Sequence, residues 1–151
     1  MRGVTKALGA RVIPLRPSKD GYYLEIAKAV SRRSTCLRRR YGAVVVANDE
    51  IIATGYNGAA RGQANCCDLR RCLREGCEHN DGDYDSCPAV HAEMNALLSA
   101  SRSETIGATL YLAGYDLEED RRIYGWEIEP CPVCKRMIAN AGIAEVVTEP
   151  R

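Results

Sequence analysis

Apolar positions along the chain fall into blocks of helical and of strand period. Tyr23, Ile26, Ala27 and Val30 recur at helical spacing, and Asp20 stands where it would cap a helix beginning near Gly21. The basic run Arg38-Arg39-Arg40 ends that block. Residues 42–47 read GAVVVA, a β-branched run that predicts a strand, and after an Asn48-Asp49 turn residues 51–54 predict its returning partner. Ala92, Ala96 and Ala100 lie at i, i+4 and i+8 with Leu97 and Leu98 beside them, which predicts a helix over 90–100. A strand over 109–113, a helix over 132–141 with Gly142 in the place of its C-terminal cap, and a strand over 144–148 complete the pattern.

The predicted order α, β, β, α, β, α, β points to an α/β domain in three layers on a mixed sheet. Two stretches have no period of their own. Residues 59–88 are polar and hold Cys66, Cys67, Cys72, Cys77 and Cys87, and a loop of that length inside a compact domain needs something to hold it, a metal above all. Residues 115–128 are charged and aromatic and read as a loop. Residues 1–19, weakly patterned around Pro14 and Pro17, read as a flexible or late-docking tail, with the domain over 20–151.

A chain of 151 residues can bury a normal core, and its 46 % hydrophobic and 27 % charged residues are those of an ordinary globular protein. The net charge of +1 makes no electrostatic case for nucleic acid as a partner. No apolar run approaches the roughly 20 residues of a membrane span, and no apolar stretch of signal-peptide type follows the basic N-terminus. Eight cysteines would suit a secreted disulfide framework. Without a signal, and with a sufficient core, they point instead to metal binding in a reducing cytoplasm.

The chemistry concentrates in His91-Ala92-Glu93 and Pro130-Cys131-Pro132-Val133-Cys134, an H-x-E and a P-C-x-x-C. Cys131 and Cys134, three apart at a helix start, face one way, and Pro132 suits the first turn because its missing N–H would be unpaired there. The positive end of the helix dipole favours the thiolate that zinc requires. His91 supplies a third ligand, which leaves the fourth tetrahedral position for water, the mark of a catalytic rather than a structural zinc. Glu93 cannot easily join His91 on the metal, but it can take the water's proton and deliver it to a ring nitrogen and a leaving amine. Zinc lowers the pKa of its water toward about 7, so hydroxide is available at neutral pH. A lone C-x-x-C reads more readily as a structural zinc or redox pair, and a lone HAE as a chance segment; in this order they read as a deaminase.

On these motifs, together with RRSTCLRRRYGAVVV, IIATGYNGAARG and EPCPVCKRMIANAGI, the chain resembles the cytidine and deoxycytidylate deaminase superfamily from about Gly21 to Val147. Its GYNG segment is similar to the deoxycytidylate branch, which converts dCMP to dUMP and ammonia. The resemblance implies an α/β/α sandwich on a five-stranded sheet and a homo-oligomer. It implies zinc on His91, Cys131 and Cys134, Glu93 as proton shuttle, Asn57 against the sugar or base, and the backbone of Ala92 against the pyrimidine edge. Some members hold a second, structural zinc, for which Cys36, Cys66 or Cys67, and Cys87 are similarly placed, with Cys72, Cys77 and His79 as further candidates.

The chain departs from the family where Ala60 replaces a frequent Pro and where 115–128 exceeds the usual connection. That stretch is long enough to cover the site or build an interface, and Tyr124 and Trp126 could stack on a base. A 5′-phosphate needs cations, and Arg33, Arg40 and Arg61 lie in the segments nearest the expected sugar. Two other readings compete. One is a deaminase of cytidine, deoxycytidine or a transfer-RNA adenosine. The other is a non-enzymatic protein with zinc as a staple.

Overall fold

A computed structural model of the chain describes residues 15–78 and 84–151. Most of the expected N-terminal tail therefore lies outside the described residues, as does His79. Helix α1 (Lys19–Ser31) starts earlier than the sequence pattern predicts. Its cap is Ser18, in extended conformation, whose hydroxyl accepts the N–H of Gly21 at 3.1 Å. Asp20 lies inside the first turn, and its carboxylate accepts the Tyr111 hydroxyl at 2.8 Å, so a tertiary bond claims the residue expected to cap.

Strand β1 (Arg39–Ala47) begins inside the basic run, which enters the sheet instead of ending the preceding block. It turns into antiparallel β2 (Glu50–Tyr56) through Asn48 and Asp49, both left-handed at φ 51° and 64°, as a two-residue turn matched to strand twist requires. Strand β5 (Thr109–Asp116) pairs with the other edge of β1 from Arg39↔Asp116 to Val46↔Thr109. Two short strands then share the far edge of β5. Strand β7 (Glu145–Thr148) runs parallel to its first half, and β6 (Arg121–Ile123) antiparallel to its second. The result is the five-stranded mixed sheet.

The stretch 115–128 is accordingly not a loop. It holds the end of β5, β6, and a 3-10 turn, Gly125–Ile128, and it sends Ile123 and Ile128, each 1 % exposed, into the core. Its charges mislead because they are paired: Arg121 with Glu119 and Glu127, Arg122 with Glu149.

Alternate residues of β1 and β5 feed two separate cores. Val44, Val46, Tyr111 and Ala113 pack on α1, whereas Ala43, Val45, Leu110 and Leu112 pack on α3 (Ala92–Leu98) and α5 (Pro132–Asn140). Both helix layers approach through glycine. A Cβ on Gly42 would stand 2.2 Å from the carbonyl oxygen of Ala27 in α1, and one on Gly55 2.3 Å from the amide of Ala96 in α3. The polar segment 59–88 is closed at its ends by a two-residue ladder, β3 (Gly58–Ala59) with β4 (Ala89–Val90), and among its described residues the one helix is the single turn α2 (Cys66–Leu69). A further turn, α4 (Arg102–Thr105), joins α3 to β5. No described helix is long and apolar enough to cross a membrane.

Candidate metal centre

The site forms at the end of the sheet where β1 begins and β2 and β5 end. The β3–β4 ladder pairs Gly58 with Val90 and so delivers the next residue, His91, to the N-terminus of α3. Cys131 is the N-cap of α5, with Pro132 behind it, and its sulfur accepts the backbone N–H of Cys134 at 3.4 Å. The two helix starts meet. His91 Nδ1 lies 3.6 Å from Cys131 Sγ and 3.4 Å from Cys134 Sγ, and the three donor atoms fall within 4.8 Å of one another, alone among the described residues in doing so. A tetrahedral zinc with bonds of about 2.3 Å to sulfur and about 2.0 Å to nitrogen needs N···S separations of about 3.5 Å. The donor set therefore fits zinc in both chemistry and spacing, as the sequence pattern predicts.

Glu93 occupies the first turn of α3 and is 6 % exposed. Burial pushes its carboxyl above the ordinary value, while its own backbone N–H, the charge of His91 and the Cys134 thiol pull it down without cancelling that rise. The Cys134 thiol is also pushed up, first by burial and then by Glu93 and Cys131. Tyr41, on the same face of β1, is raised by burial, eased by Arg39, and raised again by Glu93 and Asp116.

The other expected residues separate into groups. Asn57 is 7 % exposed and bonded on three sides: its Oδ1 accepts Ser34 Oγ–H at 2.6 Å and Tyr41 N–H at 2.8 Å, and its Nδ2 donates to Arg39 C=O at 2.9 Å. The sequence carries no signal for Ser34 beyond a small polar residue after a helix. Ala92 is buried in the first turn of α3. Arg33 and Arg61 are exposed. Arg40 alternates with Gly42 and so faces the α1 side, away from the metal ligands. Arg39, which the sequence reading passed over, faces the metal side and bonds Asp116 Oδ2 at 2.8 Å. Trp126 is 70 % exposed.

Of the remaining thiols, Cys36, Cys66, Cys72 and Cys87 line one cavity of about 20 Å³ together with the 4 % exposed Arg74. Cys67, adjacent to Cys66 on α2, points out to solvent, and Cys77 is exposed as well. All eight cysteines are free thiols.

Comparison with known proteins agrees with this geometry. The family described as the cytidine and deoxycytidylate deaminase zinc-binding region matches residues 17–149. The deoxycytidylate deaminase of Mycobacterium phage D29 is 43 % identical over 136 residues, which are 87 % of this chain and 94 % of that protein. The deoxycytidylate deaminase of Schizosaccharomyces pombe is 40 % identical over 135 residues, and there the chain spans only 37 % of the relative. Among solved structures, the dCMP deaminase of cyanophage S-TIM5 in complex with dCMP and dUMP superposes with a TM-score of 0.61 at 32 % identity, over 89 % of this chain and 82 % of that one.

Proposed function

The chain belongs to the cytidine and deoxycytidylate deaminase zinc-binding family, and from that footing we propose that it hydrolyses dCMP to dUMP and ammonia, with Glu93 moving the proton. The observation that carries the reading is a buried carboxyl, Glu93, beside three converging zinc donors. His91, Cys131 and Cys134 would hold the ion. When bound, zinc supplies a Lewis acid that makes water acidic near neutral pH.

The chain's own residues do the rest. Burial raises the Glu93 carboxyl, which suits it to take a proton from water and pass it to cytosine N3, and then to carry a second proton from the C4 hydroxyl to the amino group. A C4–O bond forms, the C4–N4 bond breaks, and the amine leaves as ammonia. The Ala92 backbone at the head of α3 meets the pyrimidine edge, and Asn57 meets the sugar or base. Arg33 and Arg61, both exposed, belong to the phosphate end of the same reading.

The same proposal puts a second, structural zinc in the cysteine-lined cavity. Four thiols around a space of about 20 Å³ support it. Cys36, Cys66 and Cys87 would ligate it, with Cys72 in place of the exposed Cys67. The reading also includes a homo-oligomer, for which Leu98, Ile106 and Trp126 offer large apolar surface at 75, 56 and 70 % exposure. Free thiols throughout suit a reducing compartment.

The test is ammonia release from dCMP by purified protein, with zinc per chain determined on the same sample. Turnover with zinc bound is the expected result. Zinc without turnover of dCMP, but with turnover of deoxycytidine or a transfer-RNA stem-loop, would overturn the substrate; no zinc in a folded, reduced preparation would overturn the mechanism.

A further inference from the structure

Asn57 sits one residue before β3, whose Gly58 pairs with Val90, the neighbour of His91. Its amide therefore belongs to the metal end of the fold, yet most of its bonding capacity is spent inside the protein. An amide offers two N–H donors and two acceptor lone pairs. Oδ1 accepts Tyr41 N–H at 2.8 Å and faces Ser34 Oγ at 2.6 Å, the nearer of the two Asn57 oxygens that share the single Ser34 hydroxyl proton, and one N–H goes to Arg39 C=O at 2.9 Å. A peptide N–H only donates and a peptide C=O only accepts, so turning the amide over would break the bonds to both Tyr41 and Arg39. Ser34 is itself held. It is 7 % exposed, its hydroxyl also approaches Asn57 C=O at 2.8 Å, and it accepts the N–H of Cys36 at 3.2 Å.

We propose that Ser34 is a positioning residue, which with the β1 backbone makes Asn57 a donor-only contact that gives its one remaining N–H to an acceptor oxygen of the nucleotide. This rests on the deaminase reading above. It also sets a chemical limit on what Asn57 recognises: a sugar hydroxyl or the cytosine C2 carbonyl qualifies, whereas the leaving amino group, a donor, does not. Without the Ser34 hydroxyl the amide keeps Tyr41 N–H and Arg39 C=O but loses its third anchor, so its free N–H is held less firmly in direction.

The experiment compares wild type with Ser34→Ala and Ser34→Thr on dCMP and on 2′,3′-dideoxycytidine monophosphate. Ser34→Ala is expected to raise KM for dCMP about tenfold, the loss of one well-oriented hydrogen bond, with kcat and zinc content changed no more than about twofold and with Ser34→Thr restoring KM. If the penalty disappears on the dideoxy analogue, the acceptor is the sugar hydroxyl; if it persists, the acceptor is the cytosine carbonyl. A lowered melting temperature with unchanged KM, or no rescue by Thr, would overturn the proposal by showing a purely structural role. Should Ser34→Ala fail to fold, the wild-type protein answers instead: on titration with dUMP, one Asn57 side-chain N–H resonance should shift and the other stay, and two unmoved resonances would overturn the proposal. Wild-type turnover of dCMP is scored separately, so a failed substrate assignment is not mistaken for a failed Ser34 assignment.

Discussion

Cys131 and Cys134 ride on the first turn of α5, packed against a sheet covered on both faces, whereas Cys36, Cys66, Cys72 and Cys87 come from separate stretches that meet only around a small cavity. The first pair and His91 bring their donor atoms within 4.8 Å of one another. No three of the cavity thiols come that close. Helix starts packed on the sheet thus hold the first set, the kind of support a precise functional site needs. A loop-borne site must be gathered by its metal, so binding energy there becomes folding energy.

That contrast can be broken at several points. Glu93→Gln should lower kcat about a thousandfold with zinc content and melting temperature nearly unchanged, because it removes the proton carrier and leaves the ligands in place. Loss of zinc in that variant, seen by metal analysis, would show that Glu93 supports the site and does not serve only chemistry. Gly55→Ala drives a methyl into the backbone of α3 and should cost about 3 kcal/mol, roughly 9 °C in melting temperature, with the metal centre disturbed as well. An unchanged calorimetric melting point would mean that α3 is far less firmly seated than described.

Cys66→Ser should release one zinc and destabilise the protein by about 2 kcal/mol, while kcat per remaining zinc stays within about twofold. A large fall in kcat would join the two regions that the structure keeps apart. The smallest effect concerns pH. Burial raises the Asp116 carboxyl, but the N–H groups of Glu119 and Glu118 and the Arg39 guanidinium outweigh it, so its folded pKa lies below the ordinary value of 3.8. Its stabilisation is therefore complete above about pH 4 and is lost as pH falls through the lower folded value. Asp116→Asn should cost about 2 kcal/mol at neutral pH and flatten that acid limb in urea titrations.

How far the sequence could be read follows from the same physics. Helices α1, α3 and α5 and the β1–β2 hairpin repeat their apolar period often enough to be plain, and the C-x-x-C spacing by itself puts two sulfurs on one helical turn. Strand β6 escapes notice because three residues cannot establish a period, and only Ile123 and Ile128 of that insertion reach the core. Cys66 and Cys67 are neighbours in sequence, but a step of about 100° around α2 buries one and exposes the other, which no spacing rule anticipates. Ser18 and Asp20 are both good caps, and the choice between them was settled by Tyr111, ninety-one residues away from Asp20. Ser34 is legible only through Asn57, a contact across 23 residues.

Gly42 and Gly55 lie on neighbouring strands and open onto opposite faces, each with helix backbone where a side chain would be. Main chain resting on main chain fixes the depth of both helix layers independently of which aliphatic groups fill the remaining space. Over evolutionary time the surrounding valines, leucines and alanines are free to drift, provided those two positions keep no side chain. The alignment of the metal ligands should accordingly outlast extensive divergence of the core around them.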